Sequence, residues 1–363
     1  MTRSSFHHIM SAVLAVAALA AVGCTDDEND NYQGNWVKCD THFPGTQRGG
    51  AVCFKIGEEA YVGTGYNSNE LGAQTRFRDF YKFDGKAWTQ VPSMPSDTLA
   101  RDGGVAFAIN GKGYVGLGST GTRFLNDFWC FDPQTQTWSR VADFPRRDGI
   151  EDYQSYERRR YAVAFVIDNV AYVGSGEDID GHAQSDFYKF DGTTWTPIAN
   201  IGAQRTAASA FVYDGKGYVV CGRNGSCLYE FQRYNPATNE WETLRHIDNR
   251  TDESYDDEYR IMAYGCSVFG LNGKFYLSTG GANGSGVRTW EYHPDDDLWF
   301  QKTNFEGNNR GFAVGFSLTF DDGKGGGVQE HGYIATGQAG VLGNTYFSDM
   351  WEFKPDEEYE DKD

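Results

Sequence analysis

Basic residues are scarce in this chain. Lys and Arg number 32 against 51 Asp and Glu, giving a formal net charge of −19 over 363 residues. A surface of that sign repels nucleic-acid phosphates and anionic lipid headgroups, which argues against both as partners. Long apolar runs are also missing. The run at residues 12–22 is far shorter than the ~20 residues of a membrane helix. No stretch carries a helical apolar period over a helix's length, so a helical bundle is not expected. Catalytic signatures are absent as well. There is no G-x-S-x-G, H-E-x-x-H or P-loop, and no C-x-x-C or Cys/His zinc spacing. No cofactor or metal is therefore expected.

What the chain does contain is one pattern of about 50 residues, repeated six times. The inner segments read RGGAVCFKI from Arg48, RDGGVAFAI from Arg101, RYAVAFVI from Arg160, RTAASAFVY from Arg205, RIMAYGCSVFGL from Arg260 and RGFAVGFSLTF from Arg310. Small residues dominate one side of each, as strands crowding a central channel require. Tight turns follow at Gly57-Glu58, Asn110-Gly111, Asp168-Asn169, Asp214-Gly215 and Asn272-Gly273. Most of these suit two-residue hairpins in which both central residues need positive φ. Second segments begin at Tyr61, Tyr114, Tyr172, Tyr218, Tyr276 and Tyr333. Third segments begin at Asp79, Asp127, Asp186, Glu230, Arg288 and Asp349. Fourth segments carry Trp88, Trp138, Trp195, Trp241 and Trp299. Units this short cannot bury their own apolar faces and must share cores with neighbours. The sixth unit has no tryptophan after Phe353; the missing one is Trp36, near the other end. An N-terminal strand that completes the last unit would close the ring and remove an unpaired edge.

These units resemble kelch repeats, in which an arginine precedes the inner strand and a Tyr-Val-x-Gly-Gly strand leads to Tyr-Asp and a later tryptophan. The resemblance covers residues 35–355. It implies an all-β fold, a six-bladed kelch-type β-propeller of the galactose oxidase central-domain superfamily, closed by the N-terminal strand. One departure stands out. At the family's first glycine this chain has Thr64, Leu117, Ser175, Cys221, Thr279 and Thr336, whereas the second glycine is kept in all six units.

The termini carry their own expectations. Arg3, the apolar run and Ala21-Val22-Gly23-Cys24 resemble a bacterial lipoprotein leader, with residues 1–23 removed and Cys24 lipidated. Residues 24–34 are an acidic linker, similar to the surface-export signal of some Gram-negative outer-membrane lipoproteins. The expected location is the outer membrane, surface-exposed, with the periplasmic side as the alternative. Residues 356–363 form an acidic tail expected to be disordered. Cys221 and Cys227 flank a short loop and could face each other.

The candidate ligand site follows from the topology expected of the resemblance. Loops from strand two to three, and from blade to blade, emerge on one face. Arg48, Arg101, Arg160, Arg205, Arg260 and Arg310 should ring the channel mouth there. Arginine's planar fork suits carboxylate or phosphate. Related kelch domains hold acidic ligands this way, and kelch arginines also brace neighbouring loops. The same face carries Tyr66, Tyr153, Tyr156, Tyr255 and Tyr259, which could stack on sugar rings. Asp178, Asp180, Asp186 and Gly181 faintly echo a calcium loop, without the full ligand pattern. His42, His182, His246, His293 and His331 are not placed to converge on a copper ion. The leading expectation is a non-enzymatic module that binds a glycan, an acidic small ligand or a partner protein. The alternative is a sugar mutarotase or epimerase resembling the kelch-type N-acetylneuraminate epimerases, with Glu151, Glu177 or Glu253 as acid/base.

Overall fold

The computed structural model describes residues 32–360, apart from 69–71, 146–157, 249–260, 282–285, 322, 324–326 and 340–344. The expected leader, Cys24 and most of the linker lie outside the described residues. So do Arg260, Glu151, Glu253, Tyr153, Tyr156, Tyr255 and Tyr259.

Six four-stranded antiparallel sheets form six blades. Blade one holds Val52–Ile56, Glu59–Gly63, Phe80–Phe83 and Trp88–Val91. Blade two holds Val105–Ile109, Lys112–Gly116, Phe128–Asp132 and Thr137–Val141. Blade three holds Val163–Ile167, Val170–Gly174, Phe187–Phe190 and Trp195–Ile198. Blade four holds Ser209–Tyr213, Lys216–Val220, Gln232–Asn235 and Glu240–Thr243. Blade five holds Ser267–Leu271, Lys274–Ser278, Thr289–His293 and Leu298–Lys302. Blade six takes Val314–Asp321, Val328–Ala335 and Met350–Lys354, and its outer strand is Asn35–Lys38 from the other end of the chain. Trp36 pairs with Phe353 in that closing ladder, and its ring is fully buried. The ring closes as the sequence predicts.

Turn chemistry explains the hairpins. Asn110, Asp168, Asp214 and Asn272 take φ of 51°, 50°, 47° and 53°, each followed by Gly or Asn also at positive φ. Asparagine, aspartate and glycine tolerate that region at little steric cost.

No single core holds the molecule. Apolar side chains gather into six clusters, one at each blade seam. At the seam of blades one and two, for example, Phe54 and Tyr61 pack against Val115 and Phe131. Outer-strand tryptophans staple across the seams. The indole N–H groups of Trp138, Trp195 and Trp241 donate to the carbonyls of Pro92, Ala142 and Ala199 at 2.8–3.0 Å.

The departure from the kelch pattern has a conformational consequence. The family's first glycine position remains left-handed here, with φ of 58–65° at Thr64, Leu117, Ser175, Cys221, Thr279 and Thr336. Side chains at that φ cost roughly 1–2 kcal/mol each. All six are buried in the seams, where packing and the surrounding backbone hold them.

Candidate functional site at the channel mouth

Inner strands run outward from the loop face, and the residue four positions before each strand sets its entry. Arg48, Arg101, Arg159, Arg205 and Arg310 occupy that position in blades one to four and six, all at 0–1 % exposure. Arg101 Nη1 and Nη2 each lie 2.8 Å from an Asp127 oxygen, and Nη1 also donates to the Leu117 carbonyl. Arg48 and Asp79, Arg159 and Asp186, and Arg310 and Asp349 repeat this fork. Burial alone would raise the Asp127 carboxyl, but the hydrogen bonds and charge of Arg101 win and hold it below its usual range.

Blades four and five break the pattern. In blade four Glu230 stands where blades one, two, three and six have aspartate. Arg205 reaches backbone carbonyls alone, those of Ala203, Cys221 and Glu230, which leaves its Nη2 and Glu230 Oε2 unpaired. Burial lowers the Arg205 guanidinium to about 10, with Glu230 and Cys221 opposing. In blade five the bracing position is Ala263, whose carbonyl accepts from Gly222 as the arginine carbonyls do elsewhere. The expectation of six equivalent ligand-facing arginines is thus resolved residue by residue. Arg48, Arg101, Arg205 and Arg310 are sealed inside the blades. In blade three the brace is Arg159, and Arg160 projects to the mouth with a side chain 32 % exposed.

Above the braces, the backbone closes a ring around the axis. Gly103 donates to Gly50, Tyr161 to Gly103, Ala207 to Tyr161, Gly265 to Ala207, Phe312 to Gly265 and Gly50 to Phe312, at 2.7–3.0 Å. All six take φ between 53° and 63°. Glycine fills three of the places freely, while Tyr161 and Phe312, in opposite blades, put aromatic rings there. Below lies the channel, a cavity of about 240 Å³ lined by small residues such as Ala51, Gly104, Ala162 and Ala208.

The rim is built from the residue following each bracing position, paired with the one following each conserved second glycine. These pairs are Gly49 and Tyr66, Asp102 and Ser119, Arg160 and Glu177, Thr206 and Arg223, Tyr264 and Gly281, and Gly311 and Gln338. Their chemistry differs in every blade. Arg76 is paired with the buried carboxylate of Asp102. Burial raises Asp102, and the charges of Arg76 and Arg160 oppose it. Arg160 Nε donates to Glu177 Oε1 at 2.8 Å, and its guanidinium covers the Phe124 and Tyr161 rings at 5.0 Å. Tyr66 packs edge-on against Tyr346, whose hydroxyl meets that of Ser68.

Arg223 differs from its neighbours. Its guanidinium lies 4.6 Å from the Tyr264 ring centroid and has no carboxylate partner among the described residues. Opposite it in the same backbone pair, the Thr206 hydroxyl is buried and unpartnered. Sequence reasoning missed Arg223, Arg76 and Asp102. For Arg223 the usable signal was the residue after each second glycine, a position at which the repeats diverge; Asp102 follows the bracing arginine, and Arg76 lies in the loop between strands two and three.

Other expected groups are placed as follows. Asp186 is the fork partner of Arg159, so it does not join Asp178 and Asp180. Asp178, Asp180 and His182 offer ligand atoms within 4.8 Å of one another. The Asp178 carboxylate, however, already accepts from the Asp180 and His182 backbone and the Gln184 amide. Cys221 and Cys227 are both free thiols with no disulfide between them; Cys221 donates to the Ile261 carbonyl, and Cys227 packs against the same seam cluster.

Six closed blades, an arginine fork in most of them and a rim of variable side chains define a kelch-type β-propeller. Residues 29–203 match the family described as the KLHDC2/KLHL20/DRC7 Kelch-repeats domain, and residues 204–246 match the Kelch motif. The chain belongs to the kelch-repeat β-propellers. It is 26% identical over 217 residues to Kelch-like protein 23 of Pongo abelii, covering 58% of this chain and 34% of that protein. It is 24% identical over 167 residues to Kelch-like protein 35 of Mus musculus, covering 46% and 26%. The match therefore spans about a third or less of these relatives' lengths. The solved structure described as "Structure of YjhT" superposes with a TM-score of 0.62 at 15% identity, over 85% of this chain and 95% of that one. That likeness shows the fold alone.

Proposed function

We propose that this propeller is a recognition module that seats an anionic group of a glycan or partner protein at the channel mouth. The observation that carries the reading is Arg223: a guanidinium held over Tyr264, uncompensated by any described carboxylate, beside an unpartnered hydroxyl in an otherwise acidic protein. A ligand carboxylate, sulfate or phosphate would take both contacts as charge-assisted hydrogen bonds. Tyr161, Phe312 and Tyr264 supply a firm aromatic floor. Arg160 lies in the next blade and adds positive potential. Kelch propellers generally serve as protein-binding modules, which agrees with this use of the face.

The mutarotase alternative needs an accessible carboxyl that can exchange a proton. Asp102 and Glu177 are the carboxylates of the described rim pairs, and each is buried and held by an arginine. That pairing favours binding over proton transfer. We further propose that Cys24 tethers the module to the outer membrane, with the linker as spacer.

The test is a glycan array and an acidic-peptide array probed with the wild-type chain and with Arg223→Ala. Anion-bearing hits that the variant loses support the reading. Hits that Arg223→Ala binds as well as wild type overturn it. Anomer exchange of N-acetylneuraminic acid, followed by NMR, separates the alternative: a rate above buffer would make the protein an isomerase.

A further inference from the structure

A second cavity lies off the axis and meets the mouth only at Phe124. It opens on the flank of blade two, at the loop side, with a volume of about 440 Å³. Arg123, Arg140 and Arg158 line it together with Trp129, Asp97 and Asn126. Trp129 and Arg140 are register partners on adjacent strands, so their side chains share one face. The Trp129 indole N–H donates to Asp127 Oδ2 at 2.8 Å, and Arg101 grips the same carboxylate. The ring plane is therefore fixed by a buried brace. No other aromatic ring stacks on it among the described residues. Arg140 is held outward by a fork onto Asp143. Arg123, on the exposed loop before the third strand, has no carboxylate partner among the described residues.

We infer that this flank cavity is a second ligand site, for a saccharide carrying a carboxylate or sulfate. A fixed indole plane ringed by charged and amide groups suits a hydroxyl-rich ring better than an apolar side chain. The sugar ring stacks on Trp129, its hydroxyls meet Asp97 and Asn126, and its anionic group meets Arg123. A guanidinium fork binds either oxyanion bidentately, and the volume falls within the range of small-ligand pockets. Convergence of three guanidinium groups on one cavity stands out in a chain of net charge −19. The site does not depend on the reading of the mouth.

The experiment follows the Trp129 indole resonance of the full chain by NMR, assigned with Trp129→Phe, during titration with galacturonic acid, galactose 6-sulfate, galactose and inorganic sulfate. At least one acidic sugar should shift the resonance and saturate, and which one does identifies the group. Galactose and sulfate alone should bind roughly tenfold more weakly or worse, the worth of one charge-assisted contact. Arg123→Glu, on an exposed loop, should lose at least tenfold in affinity with an unchanged melting temperature. Arg223→Ala should bind like wild type. The inference is overturned if neither acidic sugar shifts Trp129, if galactose binds equally well, or if Arg123→Glu binds normally. It is also overturned if Arg223→Ala abolishes binding, which would move the ligand to the mouth.

Discussion

The rings of Tyr161 and Phe312 meet across the propeller axis with centroids 4.7 Å apart. They come from blades three and six, which face each other. Each residue is left-handed, at φ of 53°, in a position that glycine fills in blades one, two and five. The chain accepts backbone strain at these two places and gains an aromatic cap over its channel.

Tyr161→Gly should therefore fold. Relief of the left-handed side chain, about 1–2 kcal/mol, offsets much of the lost ring contact. Thermal unfolding should change by no more than ~1–2 kcal/mol, while binding of a mouth ligand weakens. A loss above ~4 kcal/mol would show that the cap is a structural keystone.

Brace geometry predicts unequal losses between blades. Removing one member of a buried ion pair costs about 3–5 kcal/mol. Arg101→Met should approach that figure in urea denaturation. Arg205→Met should cost clearly less, because Arg205 makes no fork with Glu230 and leaves Nη2 unpaired. Equal costs would contradict the account of blade four.

Acid sensitivity should localise to Glu291. Its carboxylate accepts from Tyr276 at 2.5 Å and Lys274 at 3.0 Å, contacts His293 at 2.6 Å, and lies 3.3 Å from Lys302. Burial pushes the carboxyl up, but these partners outweigh it and bring it from 4.5 down to about 2. The unfolded chain takes up this proton first. The contribution is complete above about pH 4.5 and is lost as pH falls towards 2. The stability difference between wild type and Glu291→Gln should stay constant from pH 7 to 5 and shrink below 4.5. A difference unchanged at pH 3 would rule out Glu291 as its source.

Much of the fold was legible because its determinants are local. Asn-Gly and Asp-Gly pairs between two apolar runs favour a hairpin, and the tryptophan missing after Phe353 pointed to Trp36. The braces were less legible because they depend on register. Residues 158–160 are all arginine, and only counting back from Val163 selects Arg159. In blade five Arg260 precedes an irregular entry, and Ala263 takes the bracing place. Arg223 escaped notice because its role depends on what its neighbours lack, and pairing is visible only in three dimensions.

Membrane attachment tests the tether. With lipid as the sole anchor, Cys24→Ser should move the protein from the membrane pellet to the soluble fraction of the native host. A variant that still pellets would remove Cys24 as the anchor. Protease shaving of intact cells then distinguishes surface from periplasmic display.

The most direct measurement is the affinity of an anion-bearing array hit for the wild-type chain, Arg223→Ala, Arg160→Ala and Lys216→Ala, by calorimetry. Lys216 begins a strand at the hairpin end of blade four, on the face opposite the mouth. The account predicts a loss of about ten- to a hundredfold for Arg223→Ala, equivalent to ~1.5–3 kcal/mol. Arg160→Ala should lose less, since Glu177 already holds that side chain, and Lys216→Ala should not change. Wild-type affinity in both arginine variants, or a loss confined to Lys216→Ala, would contradict binding at the channel mouth.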